Sequence, residues 1–259
     1  MAPKTPKERI DILVVEQGFA ASREKAQALI RAGLVLANDT RIDKPGTKVS
    51  RDAALRVKGG GCPYVSRGGL KLEGALNHFG IDPSGRVALD VGSSTGGFTD
   101  VLLQRGATRV FAVDVGTNQL DYKIRTDERV VVMEKTNFRT LPGTDKAEQI
   151  RAGEPTLVVG DVSFISLTQI LPSIPPLVSG PTDLIFLIKP QFEAGRGEIG
   201  KGGIVRDPNV RAATVEKICT FAQEDLQWSV HGVIESPIQG TQGNIEYLMH
   251  ATTEVPSEN

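Results

Sequence analysis

The chain is poor in the residue types and patterns that mark secreted, metal-binding or membrane-spanning proteins. Its two cysteines, Cys62 and Cys219, fit neither a disulfide framework nor a metal motif, and its three histidines are equally scattered. No apolar run approaches the roughly 18 residues that span a bilayer. The N-terminal residues contain no apolar stretch of the kind found in secretion signals. We therefore expect a cytoplasmic protein with no metal site and no membrane partner.

Charge is distributed unevenly along the 259 residues. The net charge is −1, but residues 1–60 carry twelve basic residues against seven acidic ones, which leaves a net charge of −6 for the remainder. A small basic module joined to a larger acidic domain is typical of a nucleic-acid-binding module attached to an enzyme. Ordinary solvated surface charge explains the same numbers about as well, so charge alone does not decide between the two.

Two helices and several short strands are predicted in the first sixty residues. Apolar side chains recur at helical spacing in ERIDILVVEQGF, with Gly18 as its C-terminal cap, and in the segment that follows the N-cap Ser22. LVLAND and ALRVKG alternate as strands do, with DKPGTKV as the turn between them. GGGCP at 59–63 favours neither regular structure. We predict a first domain at 1–60, a linker at 61–65, a second domain at 66–252 and a disordered tail at 253–259.

This N-terminal stretch resembles the alpha-L RNA-binding motif, the fold first described in a small-subunit ribosomal protein. The matching pieces are ERID, GFAASREKAQALIRAGLVLAN, DKPGTKVS and the strand that closes the module. The resemblance implies RNA binding along the second helix and the turn after it. Five basic residues would supply phosphate contacts: Arg23, Lys25, Arg31, Arg41 and Lys44.

The longer second part alternates apolar runs with helical patterns. RVALDVG, SSTGGFTDVLLQRG and TRVFAVDVG predict a strand, a glycine turn with its helix, and a second strand. Further apolar runs follow in RVVVMEK, PTLVVGD and DLIFLIK, and WSVHGVIES and NIEYLMHA predict a final pair of strands. The fold class is therefore α/β, a Rossmann-like doubly wound sheet preceded by a small α+β RNA-binding module.

The glycine turn lacks the residues that bind a polyphosphate. Ser94 stands where a dinucleotide fingerprint requires glycine, and Phe98 stands where a P-loop requires lysine. Asp114 ends the next strand, at the place of the ribose-diol acceptor in nucleotide-binding folds. Together with Asp90, this pattern favours S-adenosyl-methionine, whose sulfonium is cationic. The alternative for Asp114 is a simple cap at the end of a strand. Three glycines leave room for a ligand near the backbone: Gly92, Gly96 and Gly97.

Two lysines and two carboxylates stand at the ends of apolar segments around this turn. Lys71 lies one turn into the predicted helix SRGGLKLEGALNHFG, Asp161 ends VVGD, and Lys189 ends LIFLIK, where Pro190 forces the chain out of the sheet. Glu246 stands beside the last strand. Ligands of open α/β sheets bind at the carboxyl ends of the strands, so we expect the four side chains to converge there. Such a set would suit removal of a proton from a ribose hydroxyl, because burial and a second cation both favour a neutral, basic lysine.

This arrangement resembles the FtsJ-like ribose 2′-O-methyltransferases, whose catalytic set is Lys–Asp–Lys–Glu in that order. With the alpha-L module, the motifs SRGGLKL, DVGSSTGGFTD, DVSFISL, LIKPQFE and KGGIVRDP look most like the TlyA family. The resemblance implies S-adenosyl-methionine-dependent 2′-O-methylation of ribosomal RNA, free or in a subunit, with cytidine as the target. It implies four catalytic residues: Lys71, Asp161, Lys189 and Glu246. It also implies a cofactor site formed by Asp90, Gly92, Ser94, Gly96, Gly97, Phe98, Asp114, Asn137 and Asp161.

Three alternatives to this interpretation stay open. In the first, the two lysine–carboxylate pairs are plain salt bridges, although burying a lysine at the end of the run LIFLI is costly for that purpose alone. In the second, the chain is a membrane-active haemolysin, a label that members of this family often carry. In the third, it is an RNA-binding scaffold whose methyltransferase domain is inactive.

Overall fold

The computed structural model describes residues 6–17, 19–20, 22–58, 62–240 and 243–253. The predicted cap Gly18, residues 59–61 of the predicted break and residues 254–259 of the predicted tail lie outside these ranges. Within them, no helix is both long and apolar enough to cross a membrane. The same residues contain no group of three or more His, Cys, Asp or Glu side chains that could hold a metal ion.

The N-terminal module packs two helices against two small sheets. Its elements are β1 (Lys7–Arg9), α1 (Ile10–Glu16), α2 (Arg23–Arg31), β2 (Val35–Ala37), β3 (Thr40–Ile42), β4 (Lys48–Ser50) and β5 (Leu55–Val57). β3, β2 and β5 form one antiparallel sheet, and β1 pairs with β4. α2 begins after Ser22, whose side chain accepts a hydrogen bond from the Lys25 amide, as predicted. The predicted turn DKPGTKV is shorter than expected, because β4 starts inside it.

The C-terminal domain alternates strands and helices as the sequence predicts. Its strands are β6 (Val87–Val91), β7 (Arg109–Val113), β8 (Val130–Met133), β9 (Leu157–Gly160), β10 (Asp183–Ile188), β11 (Trp228–Glu235) and β12 (Tyr247–Thr253). Its helices are α3 (Gly68–Phe79), α4 (Gly97–Gln104), α5 (Tyr122–Arg125), α6 (Asp145–Ala152), α7 (Pro190–Glu193) and α8 (Pro208–Thr220). Thr253 closes β12, so the predicted tail starts one residue too early.

One seven-stranded sheet organises this domain, in the order β11-β12-β10-β9-β6-β7-β8. The five strands from β10 to β8 are parallel, whereas β12 runs antiparallel to both of its neighbours. The parallel strands are continuous apolar runs because helices cover both faces of the sheet. Leu72 of α3 and Leu102 of α4 belong to the core on one face, and Ile150 of α6 and Ile218 of α8 belong to the core on the other. The doubly wound α/β prediction is therefore confirmed.

The described part of the linker is packed against the C-terminal domain. Tyr64 is buried, and its hydroxyl donates a hydrogen bond to Glu73 Oε1 of α3 at 2.7 Å. The Val65 amide donates to Asp100 Oδ2 of α4 at 2.9 Å. These contacts fix the chain just before α3, the helix that carries Lys71.

Candidate active site

Four charged side chains from distant parts of the chain form one connected group, here called the tetrad (Lys71, Asp161, Lys189 and Glu246). Lys71 Nζ lies 2.7 Å from Glu246 Oε2 and 3.6 Å from Asp161 Oδ2. Lys189 Nζ lies 2.6 Å from Asp161 Oδ1. The order of contacts is therefore Glu246–Lys71–Asp161–Lys189, with each lysine next to Asp161. The Lys71–Asp161 contact links the two lysine–carboxylate pairs, whereas two isolated salt bridges would have no such contact.

Strand register explains why Asp161 and Lys189 meet. β6, β9 and β10 are adjacent parallel strands, and both Val91 of β6 and Phe186 of β10 pair with Gly160 at the end of β9. Asp161 follows β9 directly and Lys189 follows β10, so both side chains stand at the carboxyl edge of the sheet. Pro190 occupies the first position of α7, where its missing N–H costs nothing and the chain turns away from the sheet.

Three of the four tetrad residues are buried, Asp161 is partly exposed, and the group is electrically balanced. Lys71 and Lys189 are each 8% exposed and Glu246 is 2% exposed, which leaves little water to solvate their charges. Burial alone favours the protonated form of Asp161, but the charges of Lys71 and Lys189 overcome it and hold the pKa of that carboxyl below its usual value. Two cations and two anions in contact avoid an unpaired buried charge, which would be strongly destabilising.

The glycine turn lies beside the tetrad, between β6 and α4. Gly92 has φ +80°, and a β-carbon there would lie 3.1 Å from the Asp161 carbonyl oxygen, so the turn approaches the strand end closely. Asp114 braces the turn, since Oδ2 accepts a hydrogen bond from the Ser94 amide at 2.8 Å and Oδ1 accepts one from the Gly116 amide at 2.7 Å. A carboxylate has about four acceptor positions, so Asp114 keeps acceptor capacity for a ligand.

Asp90 lies beneath the same turn and is fully buried. Its Oδ2 accepts a hydrogen bond from the Thr99 hydroxyl at 2.6 Å, whereas Oδ1 has no hydrogen-bond partner among the described residues. Burial, helped by the nearby charge of Asp161, raises the pKa of Asp90 to about 7. Within the same part of the chain, the buried Ser93 hydroxyl in the turn also lacks a hydrogen-bond partner. Unpaired polar atoms below and within the turn are what a site built for a polar ligand contains.

A single cleft of about 1230 Å³ joins the tetrad to the turn. From the turn, its lining includes Gly92, Ser94, Gly97 and Phe98. Part of the facing wall belongs to the N-terminal module, from α1 and from residues 51–55. The other predicted cofactor residues are outside this lining: Asp90, Gly96, Asp114 and Asn137. Asn137 lies exposed after β8, where its side chain accepts a hydrogen bond from the Arg139 amide.

Sequence reasoning missed three side chains around the tetrad. Lys189 Nζ donates a hydrogen bond to Ser163 Oγ at 2.8 Å, and Gln191 Nε2 donates to Glu246 Oε1 at 3.2 Å. Phe164 is 90% exposed, and its φ of +64° is unusual for a bulky residue. An exposed aromatic ring is a surface on which nucleic-acid bases stack. Ser163 and Gln191 each lie two residues beyond a predicted catalytic residue, and that spacing was the available signal.

The predicted RNA-binding residues lie on the outside of the N-terminal module. All five are exposed: Arg23, Lys25, Arg31, Arg41 and Lys44. Arg23 has a structural contact as well, because its Nε donates to Asp11 Oδ2 at 2.9 Å. Asp11 is fully buried, and hydrogen bonds from Arg9 in the first place keep the pKa of its carboxyl well below the usual range.

Comparison with known proteins assigns both parts of the chain. Residues 64–253 match the model of the FtsJ-like methyltransferases, and residues 8–55 match the S4 domain. The chain is 46% identical over 247 residues to the 16S/23S rRNA (cytidine-2′-O)-methyltransferase TlyA of Mycobacterium tuberculosis, covering 95% of this chain and 90% of that protein. It is 42% identical to Hemolysin A of Brachyspira hyodysenteriae, covering 93% of this chain and 98% of that protein.

A solved structure has the same architecture. A hemolysin-named protein from Streptococcus thermophilus superimposes with a TM-score of 0.73 at 46% identity. The match covers 96% of this chain and 90% of that chain. The similarity covers the N-terminal module as well as the sheet. The chain therefore belongs to the FtsJ-like methyltransferase family, as a TlyA-like member that carries an N-terminal S4 domain.

Proposed function

We propose that this protein methylates the ribose 2′-hydroxyl of a cytidine in ribosomal RNA, with S-adenosyl-methionine as the methyl donor. The observation that carries the proposal is the tetrad, a continuous chain of two lysines and two carboxylates in the same cleft as the glycine turn. Support for the substrate comes from the relatives, since the name of the M. tuberculosis protein specifies rRNA and cytidine. The cytoplasm is the corresponding location.

Within the tetrad, Lys189 is the proposed general base. A ribose hydroxyl is protonated at neutral pH, so a base must remove its proton as the oxygen attacks. Asp161 contacts both lysines, so its carboxylate positions Lys189 and Lys71 together. Lys71 and Glu246 form the other half of the tetrad, and their proposed role is to orient the ribose hydroxyl. These roles require no covalent intermediate on the protein.

The turn is the proposed place of the cofactor, and its residues fit this ligand. It contains no cation for a phosphate. In the part of the chain that the structure describes, the Ser93 hydroxyl in the turn and Oδ1 of Asp90 beneath it have no hydrogen-bond partner. When bound, S-adenosyl-methionine supplies an electrophilic methyl group on a sulfonium. The residues proposed to hold it are Asp90, Gly92, Ser94, Gly96, Gly97, Phe98, Asp114, Asn137 and Asp161.

Replacing Asp114 tests the cofactor site. Asp114→Ala removes the acceptor proposed for the ribose diol and also the brace on the Ser94 amide. We expect S-adenosyl-methionine to bind about 10- to 100-fold more weakly, the loss typical of hydrogen bonds to a charged group. Titration calorimetry measures the affinity, and Asp145→Asn, at an exposed carboxylate on α6, is the control. Unchanged affinity in Asp114→Ala would remove this residue from the site.

The N-terminal module is proposed to hold the RNA through its phosphates, with domain boundaries at 1–60 and 66–252. A triple substitution of Lys25, Arg31 and Lys44 by glutamine leaves the Arg23–Asp11 pair intact. We expect weaker RNA binding and a salt-dependence slope lower by about two to three units, since each phosphate contact contributes about 0.7–0.9. Cofactor affinity should stay the same, because these residues lie outside the cleft.

Binding measured from 50 to 300 mM salt gives that slope. Arg109→Gln is a matched control, because this exposed residue starts β7 at the opposite edge of the sheet from the tetrad. A triple variant that kept the full slope would place the RNA-binding surface elsewhere, for example around Lys201, Arg206 and Arg211.

The function itself is tested by transfer of a radiolabelled methyl group to purified ribosomal subunits. We expect label in RNA, located on the ribose of a cytidine after digestion to nucleosides. Label on a base would contradict the assignment, and a wild-type protein that binds cofactor and RNA without turnover would be an RNA-binding scaffold. The name Hemolysin A of a relative raises a membrane-active alternative. Release of dye from liposomes by pure protein would support that alternative, and we expect none.

A further inference from the structure

Lys189, the proposed base, has an unusual set of contacts. Its Nζ lies 2.6 Å from Oδ1 of Asp161, whose carboxylate also contacts Lys71. The same Nζ donates a hydrogen bond to Ser163 Oγ at 2.8 Å. Hydrogen bonds are directional, whereas an ion pair constrains distance more than angle. Ser163 therefore supplies a directional contact on a second side of the amine, in addition to Asp161.

The segment that follows Ser163 is held against α7 by three contacts. The segment after β9 lies along α7, and the ring of Phe164 packs against that of Phe192 at a centroid distance of 5.0 Å. Glu193 Oε2 accepts a hydrogen bond from the Ser166 hydroxyl at 2.6 Å, and Oε1 accepts one from the Leu167 amide at 2.7 Å. Since Lys189 immediately precedes α7, serine and lysine are carried by two segments that are fastened together.

Glu193 is buried, at 7% exposed, and Lys217 of α8 contacts its carboxylate at 3.4 Å. This arrangement ties the loop after β9 to α7 and α8, three parts of the chain that meet only in the folded domain. A side chain on such a support keeps one orientation, which is the condition for positioning a reacting group within a fraction of an ångström.

We infer that Ser163 is a positioning residue that orients the Lys189 amine toward the ribose hydroxyl. The inference rests on the proposed function and adds a fifth member to its machinery. An amine has four tetrahedral directions, of which one is its bond to carbon and one is taken by the hydrogen bond to Ser163. Asp161 occupies the space on another side, so the remaining direction is the one open to substrate. Ser163 lines the cleft, as substrate access requires.

A neutral hydroxyl suits this role better than a second carboxylate. The charged groups around Lys189 are Asp161 from the end of β9, then Lys71 of α3 and Glu246 before β12 beyond it. A second anion would favour the ammonium form of Lys189, which cannot take the proton of the ribose hydroxyl. The Ser163 oxygen accepts a hydrogen bond from an N–H of the ammonium and a weaker one from an N–H of the free amine, so the lone pair stays available for the ribose proton. It holds the same nitrogen before and after the proton moves.

The test compares Ser163→Ala with Ser163→Thr, which restores the hydroxyl. In Ser163→Ala we expect kcat to fall about 10- to 100-fold, as for loss of part of a general-base contribution. The RNA KM and the cofactor Kd should stay the same, and Ser163→Thr should recover most of the rate. The acidic limb of the pH–rate profile should move to lower pH in Ser163→Ala, because removing an acceptor destabilises the ammonium form. Thr108→Val removes an exposed hydroxyl just before β7, at the far end of the sheet, and should behave as wild type.

A second readout does not depend on methyl transfer. Brief acetylation with acetic anhydride over a range of pH, followed by peptide mass spectrometry, gives the pH at which Lys189 becomes half reactive. We expect this midpoint to be lower in Ser163→Ala and unchanged in Thr108→Val. If the wild type transfers no methyl group, the proposed function fails, while a shifted labelling midpoint still supports the contact. The inference is overturned if kcat and both pH readouts are unchanged, or if activity falls with no pH shift.

Discussion

Lys189→Arg is expected to be as inactive as Lys189→Ala, with kcat about 10²- to 10⁴-fold below wild type, the range supplied by a positioned general base. Arginine keeps the positive charge beside Asp161 but cannot release its proton at neutral pH. Alanine alone does not separate loss of a base from loss of a fixed charge, whereas the pair of variants does. Single-turnover methyl transfer on saturating RNA measures the chemical step directly.

Two binding measurements control this experiment. Cofactor affinity, measured by calorimetry, and RNA affinity, measured by filter binding, should match wild type in both variants. Among the described residues, the Lys189 amine contacts Asp161 and Ser163 and no residue of the glycine turn. Substantial turnover by Lys189→Arg would show that this residue acts as a fixed charge. The proton would then leave by another route.

The Lys71–Glu246 pair should show the largest effect on stability. Lys71→Met leaves Glu246, which is 2% exposed, without its cation, and we expect a loss of about 3–5 kcal/mol in the free energy of unfolding. The double variant Lys71→Met with Glu246→Gln removes both charges and should recover most of that loss. Urea denaturation followed by circular dichroism measures each free energy.

Methyl-transfer activity of the same variants distinguishes a structural role of the Lys71–Glu246 pair from a catalytic one. If Lys71 and Glu246 orient the ribose hydroxyl, the double variant should be stable yet inactive, since neither replacement carries the required charge. A double variant that regained turnover together with stability would make the pair a plain salt bridge. Arg86 and Asp183 provide a control pair, because their 2.8 Å contact lies at the other end of the sheet, where β10 begins. Neutralising them should leave turnover unchanged.

The sequence predicted most of the fold because the C-terminal domain is built from long apolar runs. A buried parallel strand such as β10 is recognisable alone, and Lys189, the charged residue that directly follows its apolar run, marks the strand end. The strands β1 and β4 were not predicted, since KER and KVS have no apolar pattern of their own. They exist because the two segments pair across about forty residues of chain.

The site was predictable only in part, for a related reason. Asp161 and Lys189 stand at strand ends, and parallel strands place such ends together. Ser163 and Gln191 gain their roles from hydrogen bonds to residues 26 and 55 positions away, which local pattern does not encode. Asp114 lies directly after β7, as predicted, but its hydrogen bond to the Ser94 amide in the turn emerges only from the folded structure.

The most direct test of the central claim concerns the acceptor atom. Once the methylated nucleotide is mapped, an RNA or a reassembled subunit can carry a 2′-deoxynucleotide at that single position. We predict that it binds with the affinity of the unmodified RNA and accepts no methyl group, because the hydroxyl that Lys189 would deprotonate is missing. Methyl transfer at the normal rate to the deoxy substrate would contradict the assignment of this site to ribose 2′-O-methylation.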